Sequence, residues 1–232
     1  MWNRAVRFFR RRFARVLYSL ASIVTPKDPP GMSLAGDRHI EWSWILAHLP
    51  DSGGKALDVG PGSSPLLSLG MLQKGFQVLA LDIEKQNWLF VDRDLELKRA
   101  DLLTGKIPPT TFDVIICCSM IEHVGITGRY GDQHFVPEGD LQVMRRLGQA
   151  TKPGGTMLLT VPVGMDAVFA PVHRVYGAER LPKLLQGWRI HKERYWVKET
   201  DDCWYTASRD EALARPGSKR HYALGCFVLI KE

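Results

Sequence analysis

Three acids and a pair of glycines in the first half of the chain are spaced for nucleotide recognition. Asp58-Val59-Gly60-Pro61-Gly62 closes the short apolar run Ala56 to Val59. Glycines at Gly60 and Gly62 let the backbone turn sharply and approach a ligand with no side chain in the way. Ser64 can cap a helix whose first position is Pro65, and Gly75 can end it. Asp82 ends a second apolar run, Phe76 to Leu81, where an acid can accept from both ribose hydroxyls of an adenosine. Asp101 lies nineteen residues further on. Glu122 and His123 come just after the run Phe112 to Cys118. Histidine changes charge near neutral pH, so His123 is a candidate general base for a hydroxyl that must lose its proton. Asp132, His134, His173, Arg174 and Tyr176 form a second polar group on two later loops.

These residues need a strand, glycine turn, helix unit repeated along an α/β chain. Strands are predicted at 56–59, 76–82, ahead of Arg99-Ala100-Asp101, at 112–118, and at 156–161 after the Lys152-Pro153-Gly154-Gly155 turn. The 112–118 run is continuously apolar after Asp113, as suits a parallel sheet buried on both faces. Two more strands, 188–197 and 221–230, complete the set. Helices are expected over 37–49, over 141–150 with Asp140 as cap, and over 181–185. Residues 125–134, 163–177 and the polar stretch 198–220 read as loops. Ligands of such sheets sit at the carboxyl ends of the strands, and Gly60, Gly62, Asp82, Asp101, Ser119, Glu122 and His123 all fall there.

Taken as a set, Asp58-x-Gly60-x-Gly62, Asp82, Asp101, Ser119-Met120-Ile121-Glu122-His123 and Lys152-Pro153-Gly154-Gly155 resemble class I S-adenosylmethionine (SAM)-dependent methyltransferases of the type 11-like kind, over roughly residues 37–165. The resemblance implies a Rossmann-like α/β fold: a mostly parallel seven-stranded sheet with an antiparallel last strand and helices on both faces. It implies SAM as cofactor, held by Asp58, Gly60, Gly62, Asp82, Ile83, Asp101, Leu102 and Ser119. In it, Asp58 orients the glycine loop and Asp82 takes the ribose. Asp101 accepts from the adenine amino group, with Leu102 offering a backbone N–H. It makes His123, Asp132, His134 and His173 the catalytic candidates and Glu122, Arg174 and Tyr176 the substrate contacts. No metal is assigned, since the spacing of Asp132, His134 and His173 matches no fixed ligand motif. Ser64 stands where many members have a third glycine. A dinucleotide dehydrogenase would place its third glycine at Pro65.

The segments Gly128-Arg129-Tyr130-Gly131-Asp132 and His173-Arg174-Val175-Tyr176-Gly177 look like those of a methyltransferase-like branch associated with glycan modification. On that likeness the expected reaction is O-methylation of a saccharide or glycolipid at the cytoplasmic membrane face. The alternatives are a small-molecule or lipid-quinone methyltransferase, and a degenerate SAM-binding or scaffold protein at the membrane. The set Gly60, Gly62, Asp82 and Asp101 argues against the scaffold.

Charge is unevenly placed. Net charge is +6 over 232 residues, yet residues 1–27 hold seven basic groups and no acid, and the other 205 carry 24 basic and 25 acidic groups. The body is thus near neutral, and no nucleic-acid partner is expected. On a helical wheel, Trp2, Val6, Phe9, Phe13, Val16, Leu17, Leu20 and Val24 share one face, with Arg4, Arg7, Arg10, Arg11 and Arg15 opposite. That is the pattern of a helix lying in an anionic membrane surface. A transit peptide, a twin-arginine signal and a helix packed on its own domain or a second subunit are the competing readings. The expected organisation is an amphipathic arm (1–24), a linker (25–36) and a methyltransferase domain (37–232), cytoplasmic and peripheral at the inner membrane face. The four cysteines have no zinc spacing and are expected to be reduced. Trp42, Trp44, Trp188, Trp196 and Trp204 could line a sugar-binding surface, although core positions are their commoner use.

Overall fold

A computed structural model describes residues 36–90, 92–128, 135–200 and 203–232. The expected arm, nearly all of the linker, and the candidates Asp132 and His134 lie outside these residues.

The described chain forms an eight-stranded sheet in the order β3-β2-β1-β4-β5-β10-β8-β9. Its strands are β1 (Gly54–Val59), β2 (Phe76–Asp82), β3 (Leu95–Arg99), β4 (Phe112–Cys118), β5 (Thr151–Val163), β8 (Trp188–Thr200), β9 (Cys203–Ala207) and β10 (Ala223–Lys231). The β1–β5 strands pair in parallel, while β10 runs antiparallel between β5 and β8. Helices α1 (Arg38–His48), α2 (Leu66–Gln73), α3 (Gly139–Ala150), α4 (Arg180–Leu184) and α5 (Arg209–Leu213) complete the domain. No helix among the described residues is long and apolar enough to cross a membrane.

The alternation of side chains along the central strands gives the sheet two cores. Leu57 and Val59, Ile115 and Cys117, and Leu159 and Val161 share one cluster with Leu141 and Leu147 of α3 and Leu181 of α4. Ala56, Val114, Ile116 and Leu158, one residue out of phase, share the other with Ile45 of α1 and Leu67 and Met71 of α2. Successive strand residues point to opposite faces, so strands buried on both sides must be apolar throughout. Fully burying one such aliphatic side chain is worth about 1.5–3 kcal/mol.

Three details differ from the sequence reading. First, the expected polar excursion contains a strand: Trp204 and Tyr205 of β9 pair with Lys198 and Val197 of an extended β8, which makes eight strands rather than seven. The aromatic and β-branched run Trp204-Tyr205-Thr206 suits a sheet edge despite its acidic and basic flanks. Second, the loop 163–177 carries a small hairpin, β6 (Ala167–Phe169) and β7 (His173–Val175). Third, the cap assignments shift. Pro65 sits at the cap position of α2, and Ser64 Oγ accepts only a long 3.4 Å bond from the Leu66 amide. Asp140 lies inside the first turn of α3, where its buried carboxylate is taken up by Tyr176 and Arg180.

Candidate functional site

At the carboxyl ends of β1, β2 and β4 lies a cavity of about 530 Å³. Gly60 leaves β1 with φ +64°, and its amide donates to the Leu81 carbonyl at 2.8 Å. A Cβ there would lie 2.2 Å from Met120 Cγ, so the turn against β4 admits only glycine. Gly62, also at φ +64°, is different: a Cβ would meet nothing within 4 Å. Its backbone therefore borders open space, as a ligand cradle requires. Its amide donates to Asp82 Oδ2 at 2.9 Å, and the Glu84 amide donates to Asp82 Oδ1 at 2.8 Å. A carboxylate has about four lone-pair sites, so two remain for ligand hydroxyls. Trp88 Nε1–H donates to the Gly62 carbonyl at 3.0 Å and pins the loop from the β2–β3 connection.

Asp58 supports this loop from below. It is buried, and Ser68 Oγ donates to its Oδ2 at 2.6 Å. Burial pushes its carboxyl up to about 6, with the nearby Asp82 charge adding and the Ser68 bond opposing. At the far side, Asp101 folds a tight turn: its Oδ1 accepts from the Leu103 amide and its Oδ2 from Thr104 Oγ1, both at 2.8 Å. Arg146 of α3 donates to the Leu102 and Gly105 carbonyls and clasps that turn to the body.

At the opposite end, Ser119 follows β4 with φ +43°. Its hydroxyl donates to Glu41 Oε1, which Thr160 Oγ1 also reaches at 2.7 Å. Arg38 Nη1 donates to Glu41 Oε2 at 2.5 Å, and Arg38 also lines the cavity. Burial, then the Asp37 charge, raises the Glu41 carboxyl, while Arg38, Ser119 and Thr160 pull it down. Glu41 thus ties α1, whose Arg38 and Trp42 line the cavity, to the end of β4 and to β5. His123 lines the same end, with Nδ1 2.6 Å from the Val172 carbonyl and Nε2 3.6 Å from Glu122 Oε1. A ring nitrogen that close to a carbonyl carries the proton, so Nε2 is the basic nitrogen of the neutral ring. Glu122 itself is 2% exposed, its Oε2 has no hydrogen-bond partner among the described residues, and burial pushes its carboxyl up to about 8.

The structure therefore brings Asp58, Gly60, Gly62, Asp82 and Ile83 together with Asp101, Leu102, Ser119 and His123 around one space. It does not bring Glu122, His173, Arg174 or Tyr176 to that lining. His173 is buried with Nε2 3.2 Å from the Ser218 carbonyl, edge-on to Phe169 and Tyr222. Arg174 and Tyr176 are fully buried, so the substrate contact expected of each is replaced by an internal one. β7 is buried on both faces, and the pairing of Val163 with Tyr176 continues that burial past its end. Arg38, Trp88 and Arg146 are the functional candidates that the sequence did not point to. Each acts through a backbone or side-chain partner that only the fold brings near, and no local motif marks them.

The space suits a nucleoside-sized ligand. It lies within the roughly 300–1,000 Å³ usual for small-molecule sites. Gly62 borders open space, and Asp82 offers oxygens beside it.

The family described as "Caenorhabditis protein of unknown function, DUF268" matches residues 62–202. A protein of Azoarcus sp. (strain BH72) named "Ubiquinone biosynthesis O-methyltransferase" is 32% identical over 154 residues, covering 61% of this chain. The chain spans 58% of that relative's length. Among solved structures, a SAM-dependent methyltransferase from Mesorhizobium loti superposes with TM-score 0.55 at 17% identity, over 82% of this chain and 97% of that one. A Burkholderia thailandensis 1,6-didemethyltoxoflavin-N1-methyltransferase with bound S-adenosylhomocysteine (SAH) gives TM-score 0.54 at 13% identity, over 99% and 89%. The fold is that of class I SAM-dependent methyltransferases.

Proposed function

The chain belongs to the DUF268 family, whose description names no function, and from its methyltransferase fold we propose that it transfers a methyl group from SAM to a hydroxyl oxygen. One observation carries this reading: the Gly60–Gly62 loop, Asp82 and His123 converge on a single cavity from three separate strand ends.

SAM supplies a methyl group made electrophilic by the adjacent sulfonium. The protein's part is to hold, aim and deprotonate. Asp82 would take the ribose hydroxyls with its remaining lone pairs. The Asp101–Leu103 turn would face the adenine, and the Arg38 guanidinium is placed to pair with a carboxylate. An in-line displacement needs the nucleophile fixed behind the methyl carbon, so position contributes most of the rate. His123 Nε2 would take the hydroxyl proton as the oxygen attacks.

The first reading of the acceptor is a phenolic small molecule of the quinone-precursor kind. The relatives' name supports it, as does the apolar lining by Met120, Val124 and Leu66. A second reading, the hydroxyl of a saccharide or glycolipid, is favoured by the presence of a base. An alkyl alcohol holds its proton more tightly than a phenol and needs that base more. Purified protein with radiolabelled SAM and fractionated cell extract separates them, by label in the quinone-type lipids or in the lipid-linked glycans. Absence of both SAM binding and label in every fraction would replace the enzyme by a scaffold.

We also read residues 1–24 as an anchor to an anionic membrane surface, on their sequence pattern. Each of the six arginines could contribute about 1 kcal/mol near such a surface. Full-length protein is expected to bind phosphatidylserine vesicles at low salt, more weakly as salt rises, and protein lacking residues 1–27 to ignore them. Full-length protein that ignores the vesicles at low salt would overturn the anchor.

A further inference from the structure

Arg174 is the largest wholly buried side chain described. Burying a guanidinium is unfavourable by several kcal/mol unless its donors are satisfied. Its hydrogen-bond acceptors are unusual in kind, all main-chain carbonyls, with the Phe135 ring 6.0 Å from the guanidinium carbon and Nε left without a hydrogen bond among the described residues. Nη1 donates to Val124 at 2.5 Å and to Glu122 at 3.4 Å, and Nη2 donates to Val136 at 3.1 Å and to Pro137 at 3.4 Å. Asp140 balances the charge, with Oδ1 3.8 Å from Nε. Tyr176 and Arg180 orient that carboxylate, the tyrosine hydroxyl donating at 3.1 Å and Arg180 Nη2 at 2.6 Å.

The two carbonyls reached by Nη1 belong to the residues on either side of His123. Two residues before Arg174, the Val172 carbonyl accepts from His123 Nδ1. One short segment of the β6–β7 hairpin therefore holds the His123 ring and also the backbone on either side of it, at the Glu122–His123 peptide and, more closely, at the Val124–Gly125 peptide. The same guanidinium also holds Val136 and Pro137, so it locks the backbone that carries His123 to the segment leading into α3.

We propose that Arg174 is a positioning residue for His123: with the Val172 carbonyl it fixes the ring's Nδ1–H tautomer and its aim, so that Nε2 is the proton acceptor. This rests on the reading of His123 as the base. It assigns Arg174 to the acceptor end through His123, without contact to the substrate. Lysine keeps the charge but has no planar fork and cannot span carbonyls on two separate segments.

The test uses full-length protein labelled with 15N-histidine. His123 ring signals are assigned by their loss in His123→Gln, and the chemical shifts report the tautomer. SAH binding is measured by calorimetry, and turnover with labelled SAM and a catechol as the probe acceptor. Wild type is expected to show the neutral Nδ1–H form. Arg174→Lys is expected to mix the tautomers and lower kcat roughly 10–100-fold, as a misaimed catalytic group does. SAH affinity is expected to stay within about twofold, since the cofactor end is untouched. Tyr176→Phe, which only loosens Asp140, is expected to shift both readouts in the same direction and less. An Nε2–H tautomer in wild type overturns the proposal, as does folded Arg174→Lys with unchanged tautomer and kcat. Where Arg174→Lys does not fold, an unchanged tautomer in Tyr176→Phe overturns it. Full activity of His123→Ala overturns the base reading and this proposal with it, even when the wild-type tautomer is as expected, so the two failures are told apart.

Discussion

The two ends of the cavity are built by different means. At the cofactor end, backbone groups and short turns do the holding: Gly62 and Glu84 amides on Asp82, Leu103 amide on Asp101. At the acceptor end the contacts span more of the chain, although Arg146 reaches the Leu102 carbonyl at the cofactor end across 44 residues. Thr160 reaches Glu41 across 119 residues, and His123 reaches Val172 across 49. A ligand shared by many enzymes can be gripped by backbone, which any sequence supplies once the glycines are in place. Chemistry on a particular acceptor needs side chains, and those are set in place by tertiary contacts. The comparison therefore predicts that substitutions at one end leave the other end's measurable alone.

The largest effect is expected at His123. On the proposed reading of His123 as the base, His123→Ala is expected to lower kcat by roughly 10²–10⁴, with SAH affinity unchanged by calorimetry. A parallel loss of SAH affinity would mean that the two ends are one unit, and would break the comparison.

Its neighbour Glu122 sharpens the contrast through stability. The folded state raises this carboxyl from 4.5 to about 8, because burial penalises its charge. The contribution is fully present below 4.5 and is lost as pH rises through about 8, since the unfolded chain ionises first. Glu122→Gln has no charge to lose. Its stability relative to wild type, read from melting curves, is expected to climb between those pH values and level off above, by an amount on the order of a few kcal/mol. Asp58, raised by the same cause, is present in both proteins and cancels in the difference. Parallel melting curves across pH 5–9 would show that Glu122 is not held neutral. Such a group belongs to the acceptor end, where the chain tolerates a buried oxygen unpartnered among the described residues.

Asp82→Ala tests the cofactor end. Hydrogen bonds to a charged group are worth about 1.5–3 kcal/mol, so SAH affinity is expected to fall by that amount. Once all protein is loaded, turnover should recover. This is also the end that the sequence announced. Strand, glycine turn and strand-end acid lie within a short stretch, and their spacing survives whatever the rest of the fold does. The central parallel strands were legible for a like reason, as apolar runs between turn residues, whereas the edge strand β3 alternates leucine with charge. Arg174 and Tyr176 were legible as a polar cluster but not as buried ones, because β7 is covered on both faces by tertiary contacts although its residues are not apolar throughout. Glu41 was visible only as one residue of a helix. Its bond to Thr160 follows from the packing of α1 on the sheet, which no local pattern states. Strand β9 was hidden by the charged residues on either side of it.

The smallest expected effect is at Trp88, and it distinguishes recognition from scaffolding at the cofactor end. The indole N–H donates to the Gly62 carbonyl, whose own amide donates to Asp82. Trp88→Phe keeps most of the ring but removes the donor. A neutral hydrogen bond contributes about 0.5–1.5 kcal/mol net, so SAH affinity is expected to weaken roughly 2–12-fold. The loss arises because the glycine loop is less well ordered before the ligand arrives, which raises the ordering cost of binding. The acceptor KM and the pH profile are expected to stay as in wild type, since His123 and its grip are untouched. If Trp88 only stabilised the fold, melting temperature would drop with affinity unchanged. The ratio of those two changes measures how far this bond serves the cofactor and how far the body of the protein.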